Sequence, residues 1–303
     1  MSLIRRLAKS CIVLVLGSDS KPRRILRGLG SGYRIFVSPA ENLGYLFGTD
    51  EPHLQRAIRD YVSTGDTVYD IGANIGYVSL SLAKRVGSTG AVVAFEPLHR
   101  NVDLLRRNIQ VNNLENIRLL DVAASDGSGE AVIRIAENHA TASMLWHRNN
   151  PSATEFVIRT VAIDDLVFRH EIGSPKFVKI DVEGAEGSVL RGMVHTIAAS
   201  KPVLFVECSD IGRETAWTLL RELGYQCQSA LTRKWVDHFE DYRHADFLWL
   251  PSRHTRYHIP PQLVDRHHKR KETTFYKPLH PVGPSVTCGW PKSMERCENK
   301  ESF

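Results

Sequence analysis

The chain is poor in anything that would bind a metal or cross a membrane. Its five cysteines (Cys11, Cys208, Cys227, Cys288 and Cys297) are odd in number and widely scattered. None stands in a CxxC or in a Cys/His pair with zinc spacing, so no metal site is expected, and buried or free thiols fit a reducing compartment. The adjacent pair His267-His268 lacks spacing partners and reads as a solvated surface feature. Basic residues Arg5, Arg6 and Lys9 precede an apolar run, but that run covers only the six residues 11–16. A spanning helix needs about 20. Gly17-Ser18-Asp19 offers no small-x-small cleavage site. These absences predict a cytoplasmic protein without an integral membrane span.

Positive charge is missing from the middle of the chain. Residues 1–34 carry eight Lys/Arg against one acid, Asp19, and residues 251–303 carry ten against five. Residues 35–250 carry 21 against 28, a net of −7. A basic groove for nucleic acid belongs on the folded core, so no nucleic-acid partner is expected. With 42% hydrophobic residues the chain can bury a substantial core.

What is present is an alternation of strand and helix patterns. An amphipathic helix with Leu54, Ile58 and Tyr61 on one face comes first. Strand patterns at 67–71, 91–95, 117–122, 177–181 and 202–207 are separated by helical patterns at 77–86, 99–112 and 186–198. A helix at 213–223 and closing strands at 225–231 and 245–250 complete the run. Between them, short alternating stretches at 131–135 and 156–163 predict an antiparallel insertion with a polar loop around 137–151. Repeated βα units predict an α/β fold: a Rossmann-like, mostly parallel seven-stranded sheet with helices on both faces. Beyond residue 251 seven prolines from Pro251 to Pro291 break the pattern, which reads as a loosely packed tail.

Acidic residues collect where these strands end. Asp70, Glu96, Asp181 and Glu207 all lie at or within one residue of a strand's last apolar position, and ligands of open α/β sheets bind beyond those carboxyl ends. The sharpest feature is Asp70-Ile71-Gly72-Ala73-Asn74-Ile75-Gly76-Tyr77. Counted from Gly72, the dinucleotide pattern GxGxxG would need glycine at Asn74 and Tyr77, so a pyrophosphate loses its close backbone approach. No GKS or GKT follows, so a P-loop is excluded as well. The remaining D-x-G-x-N-x-G turn suits an adenosyl ligand with an amino-acid end. Backbone N–H groups around Gly72, Ala73 and Gly76, with Asn74, are expected to bond its carboxylate, helped by the helix N-terminus. Asp70 is expected to bond its ammonium, and Glu96 both ribose hydroxyls. Asp121, Val122 and Ala123, ending the third strand, are expected beside the adenine. S-adenosyl-L-methionine meets these demands, because its sulfonium is favoured by an acidic strand edge.

Three segments carry a family likeness. The loop above, Phe95-Glu96-Pro97, and Val178-Lys179-Ile180-Asp181-Val182-Glu183-Gly184-Ala185-Glu186 followed by Val189-Leu190-x-Gly192 together resemble the FkbM family of S-adenosylmethionine-dependent methyltransferases. The likeness covers about residues 50–251. It divides the chain into a basic lead-in (1–49), a methyltransferase domain (50–251) and a basic Pro/His-rich tail (252–303). It implies O-methylation of a hydroxyl on a sugar, glycan or polyketide-like small molecule.

Such a transfer needs an aligned acceptor and a base for its proton. Asp181 is the first candidate base. Glu183 and Glu186 follow it closely, and Glu186 equally suits a helix-dipole partner. His139, in the insertion with His147, is a further candidate. Glu207 could bond a sugar hydroxyl or fix a loop. The alternatives are an N-methyltransferase acting on a protein or small molecule, for which the NPPY tetrapeptide is missing, and a cofactor-binding scaffold without catalysis.

Overall fold

The computed structural model of the chain describes residues 21–37, 42–136, 142–143, 153–208, 212–239 and 246–252. A hairpin of β1 (Lys21–Arg24) and β2 (Arg34–Val37) precedes helices α1 (Leu43–Phe47) and α2 (Pro52–Tyr61). The alternating part follows as β3 (Thr67–Ile71), α3 (Tyr77–Val86), β4 (Ala91–Phe95), α4 (His99–Val111) and β5 (Ile117–Leu120). Next come β6 (Ala123–Ala124), β7 (Gly129–Ala136), β8 (Ala142–Ser143), β9 (Ala153–Val161) and α5 (Ile163–Phe168). The chain then returns through β10 (Phe177–Ile180), α6 (Glu186–Arg191), α7 (Val194–Ser200), β11 (Val203–Glu207), α8 (Arg213–Glu222), β12 (Tyr225–Ser229), β13 (Trp235–Val236) and β14 (Asp246–Pro251).

The main sheet runs β13-β12-β14-β11-β10-β3-β4-β5. Pairs from β11 through β5 are parallel, and β14 inserts antiparallel between β11 and β12. The fold is the class I methyltransferase arrangement expected from the βα alternation, with one difference. Among the described residues the sheet has eight strands, because the two-residue β13 pairs with the edge of β12. The chain winds outward from β3 to β5 on one side and from β10 to β11 on the other. The switch point, where a crevice opens at the strand ends, therefore lies between β3 and β10.

Strands β3, β4 and β10 are buried almost throughout, as a sheet covered on both faces requires. Phe177, Phe205, Phe247, Tyr225 and Trp249 are among the largest fully buried side chains, each contributing about 1.5–3 kcal/mol of burial. Tyr225 satisfies its hydroxyl by donating to Pro202 O at 2.9 Å.

The insertion forms its own four-stranded sheet, β6-β9-β7-β8, with β7 and β9 antiparallel over their length. The pattern expected as one helix over 186–198 is two helices. The chain breaks at Gly192, where a Cβ would stand 1.8 Å from Ser125 O. The break exposes a new helix start, and Asp164 caps it from a distance by accepting from His195 N at 3.0 Å and Thr196 N at 2.7 Å.

Residues 21–37 and 42–49 pack beside the first parallel strand's loop and helix. Ile25, Ile35, Val37 and Leu46 cluster with Ile75, Tyr77 and Leu80. Asn108 on α4 joins the two parts, accepting from Phe36 N at 2.6 Å and donating to Ile75 O at 2.7 Å. Buried Gln55 does similar work, accepting from Leu29 N and donating to Asp50 O and the Tyr77 hydroxyl. Residues 1–20 of the basic lead-in and residues 253–303 of the Pro/His-rich tail lie outside the described residues.

Candidate active site

A cleft opens at the switch point, lined by Gly72, Asn74, Glu96, Asp181 and Glu183 together with apolar Phe95, Leu98, Ala123, Ile133 and Ile158. It lies between the loop after β3, the end of β4, the end of β10 and the insertion sheet.

The loop after β3 is held by close approach. Gly72 has φ 78° and Gly76 φ 92°, both in the left-handed region. A Cβ on Gly72 would stand 1.9 Å from Asp181 O, and one on Gly76 would stand 2.1 Å from Leu105 Cδ1. Asn74 also takes positive φ, at 50°, which asparagine tolerates better than most residues. The loop's own N–H groups are largely committed. Gly72 N and Ala73 N both donate to Phe95 O at 3.0 Å, and Gly76 N donates to Ala73 O at 2.9 Å. Asn74 N donates to Glu96 Oε2 at 2.8 Å. Few amides of this loop are therefore left free for a ligand.

Glu96 is 4% exposed at the end of β4. Its Oε1 accepts from Leu98 N at 2.9 Å and from Asn101 Nδ2 at 3.3 Å. Burial raises its carboxyl above the ordinary range, against the lowering effect of the Leu98 and Asn74 amides. A carboxylate has about four acceptor positions, so Oε2 keeps capacity for a hydroxyl at the cleft wall.

Asp70 lies beneath the cleft, fully buried. Its Oδ2 accepts from the Ser79 hydroxyl at 2.5 Å. Its Oδ1 has no hydrogen bond and sits 3.5 Å from Lys179 Nζ. Lys179 also pairs with Asp181 Oδ2 at 3.1 Å and donates to Gly72 O at 2.8 Å. Burial alone would lower the Lys179 ammonium, but Asp181 and Asp70 more than reverse this and raise it. The sequence signal for Lys179 was available, a lone lysine inside an otherwise apolar strand, but it pointed to no partner.

Beyond Asp181 the surroundings are acidic. Burial pushes the Glu207 carboxyl up to about 8, with Asp181, Asp246 and Glu51 acting the same way and Lys179 opposing. Glu51, at the start of α2 with φ 54°, is pushed up to about 7, first by burial. Burial, then Asp181 and Glu186, raise Glu183. Tyr45 stacks on Tyr77 with ring centroids 4.4 Å apart. Glu51 and Tyr45 come from outside the sequence motifs, and only the packing of residues 42–61 brings them here.

The structure thus gathers Gly72, Asn74, Glu96, Ala123, Asp181 and Glu183 on one cleft. Asp70, Ala73 and Gly76 support it from below. Val122 turns into the main core, and Asp121 pairs with Arg159 at 2.8 Å. Glu186 is fully buried and accepts from Gly184 N at 2.8 Å, so it shapes the turn after Asp181. His139 lies outside the described residues. Among the described residues no group of three or more His, Cys, Asp or Glu is placed to hold a metal.

The residues present fit S-adenosylmethionine. The apolar walls Leu98, Ala123, Ile133 and Ile158 suit an adenine, Glu96 suits a ribose, and the carboxylates toward Asp181 suit a cationic centre. Asp70 and Asp181 share the single Lys179 ammonium, which leaves net negative charge under that end.

The comparisons agree. An archaeal protein named hexuronic acid methyltransferase AglP, from Haloferax volcanii, is 26% identical over 65% of this chain and 80% of its own. A protein-L-isoaspartate O-methyltransferase from Caenorhabditis elegans is 29% identical over 29% of this chain, which spans 41% of that protein's length. A methyltransferase FkbM structure from Methylobacillus flagellatus KT aligns with a TM-score of 0.41 at 17% identity, covering 82% of this chain and 59% of that one. The family model described as the methyltransferase FkbM domain matches residues 70–227, from the acid before the glycine loop to β12. The chain belongs to the FkbM family of S-adenosylmethionine-dependent methyltransferases.

Proposed function

We propose that this chain methylates a hydroxyl of a neutral sugar, glycan or polyketide-like small molecule, using S-adenosylmethionine. One observation carries the reading: a ribose-type acid, Glu96, and a candidate base, Asp181, lie on one cleft with apolar walls between them. When bound, the cofactor supplies an electrophilic methyl group. Glu96 holds the ribose and Asn74 the amino-acid end, while Leu98, Ala123, Ile133 and Ile158 keep water from the ring. Asp181 Oδ2 is tied to Lys179, and its other oxygen takes the acceptor's proton, a role that contributes about 10²–10⁴-fold. Glu183 stands beside it to orient the acceptor.

The archaeal relative is named for a hexuronic acid, which supports a sugar-type acceptor here. The charge around this site argues for a different sugar chemistry. Asp181 and Asp246 already disfavour the ionised forms of Glu51 and Glu207, and a uronate carboxylate would be disfavoured there in the same way. Neutral hydroxyls, by contrast, donate well to carboxylates.

Two measurements test the reading. Calorimetry with S-adenosylmethionine should show one site, and absence of binding sinks the cofactor assignment. Transfer of isotope-labelled methyl into a whole-cell metabolite extract should yield a methyl ether on a neutral polyhydroxylated product. Asp181→Asn should cut that transfer by about 10²–10⁴-fold. Normal transfer by this variant removes Asp181 from the role.

A further inference from the structure

We propose that Lys179 is the positioning residue of this site, a clamp that makes the cofactor side and the acceptor side assemble as one unit. The inference builds on the reading above.

β10 reads Phe-Val-Lys-Ile and is buried along its whole length. A lysine belongs in such a strand only if its ammonium is fully partnered. Lys179 is the cross-strand neighbour of Asp70 on β3, so both side chains leave the sheet on the same face. From there the ammonium, 6% exposed, reaches three groups: Gly72 O at 2.8 Å, Asp181 Oδ2 at 3.1 Å and Asp70 Oδ1 at 3.5 Å. An ammonium has three N–H donors; Gly72 O and Asp181 Oδ2 lie at hydrogen-bond distance, while Asp70 Oδ1 pairs with the charge without a hydrogen bond.

The three partners belong to different parts of the site. Gly72 O is the backbone of the cofactor loop, Asp70 is the end of its strand, and Asp181 is the candidate base. Gly72 also lies so close to Asp181 O that no Cβ fits between them. The loop and the end of β10 thus touch backbone to backbone, and Lys179 is the only described cation paired with both carboxylates. Without it, two like charges would face each other beneath a loop whose carbonyl had lost its donor. The loop and the Asp181 turn would then move apart together.

A mere counter-charge role predicts something else. Removing it would leave the cleft more negative, which favours the sulfonium of S-adenosylmethionine over neutral S-adenosylhomocysteine. A clamp predicts that both ligands weaken by the same factor.

The test uses the full chain and both nucleosides as probes. Lys179→Met is compared with wild type by calorimetry and by amide hydrogen exchange. Because a stranded Asp70 can prevent folding, Asp70→Asn is also compared with Asp70→Asn/Lys179→Met. The expected result in either pair is a loss of at least tenfold in affinity for both ligands. Faster exchange should appear together at 70–77 and 181–185, with α8 unchanged as internal control. Three outcomes would each overturn the clamp: affinity within twofold of the parent, unchanged exchange at 70–77, or tighter S-adenosylmethionine binding alone. If wild type binds neither ligand, the proposed function fails, and exchange alone then decides the clamp.

Discussion

Replacing Gly72 by alanine tests the contact on which the site depends. The substitution has two separable costs. First, φ 78° places an L-residue in the left-handed region, at about 1–2 kcal/mol. Stiffening of the unfolded chain returns about 0.4–1 kcal/mol of this. Second, the new Cβ would meet Asp181 O at 1.9 Å, whereas a tolerable C···O separation is about 3.3 Å. The loop and the end of β10 must therefore part by about 1.4 Å, beyond the reach of the Lys179 bond to Gly72 O. A bond to a charged group contributes about 1.5–3 kcal/mol, so the total is about 2–5 kcal/mol. Gly65→Ala supplies the control. Gly65 has φ 90°, yet its Cβ would meet nothing closer than Thr89 Oγ1 at 3.7 Å. It should show the first cost alone, a net of about 1 kcal/mol. At about 2–4 °C per kcal/mol for a domain this size, calorimetric unfolding should resolve the two variants. Titration with S-adenosylmethionine should show Gly65→Ala near wild type and Gly72→Ala weakened, and methyl transfer by Gly72→Ala should slow by about 10²-fold, the rate penalty of a 1 Å misplacement. Equal melting temperatures and equal affinities in the two variants would refute the close-approach argument.

Three further outcomes follow from the geometry. Glu96→Ala removes the acceptor for Asn74 N and Leu98 N, and S-adenosylmethionine affinity should fall at least tenfold; unchanged affinity by calorimetry excludes Glu96 as the ribose acid. Asn108→Ala strands Ile75 O and Phe36 N and should lower stability by about 2–4 kcal/mol; denaturant midpoints within error of wild type would show that residues 34–37 are not held by this bond. Glu207 and Glu51 have folded values raised to about 8 and about 7 from 4.5, so the folded state binds more protons than the unfolded one. The stability they contribute is present in full below about 4.5 and is lost as pH rises through about 7 and 8. The melting temperature should therefore fall over that range, and Glu207→Gln should flatten the fall; identical slopes in variant and wild type would rule out the acidic cluster as its source.

Much of the architecture was written in local patterns. The strand at 67–71 and helix at 77–86 have the boundaries their apolar periodicity and flanking glycines predict, because burial on both faces and a left-handed turn leave a plain residue signature. The helix broken at Gly192 did not show itself, since the reason is a carbonyl of Ser125 and a cap from Asp164, both remote in sequence. The third strand ends at Leu120 and the chain passes to another sheet at Ala123. This turns Val122 inward and leaves Ala123 on the cleft, a choice of face that a run of small apolar residues cannot encode.

The sequence by itself therefore determined where the acidic groups gather: Asp70, the glycine loop, Glu96 and Asp181 are tied to the carboxyl ends of their strands by one or two residues, and parallel neighbours bring those ends to one edge of the sheet. Tertiary structure alone decided how these ends combine. It set Lys179 beside Asp70 in register, joined both to Asp181, and carried Glu51 and Tyr45 from the segment before the first parallel strand to the neighbourhood of Lys179 and Asp181. Those placements depend on which strands become neighbours and how closely backbones pack. Packing of that kind is a property of the whole sheet and leaves no mark on any single stretch of sequence.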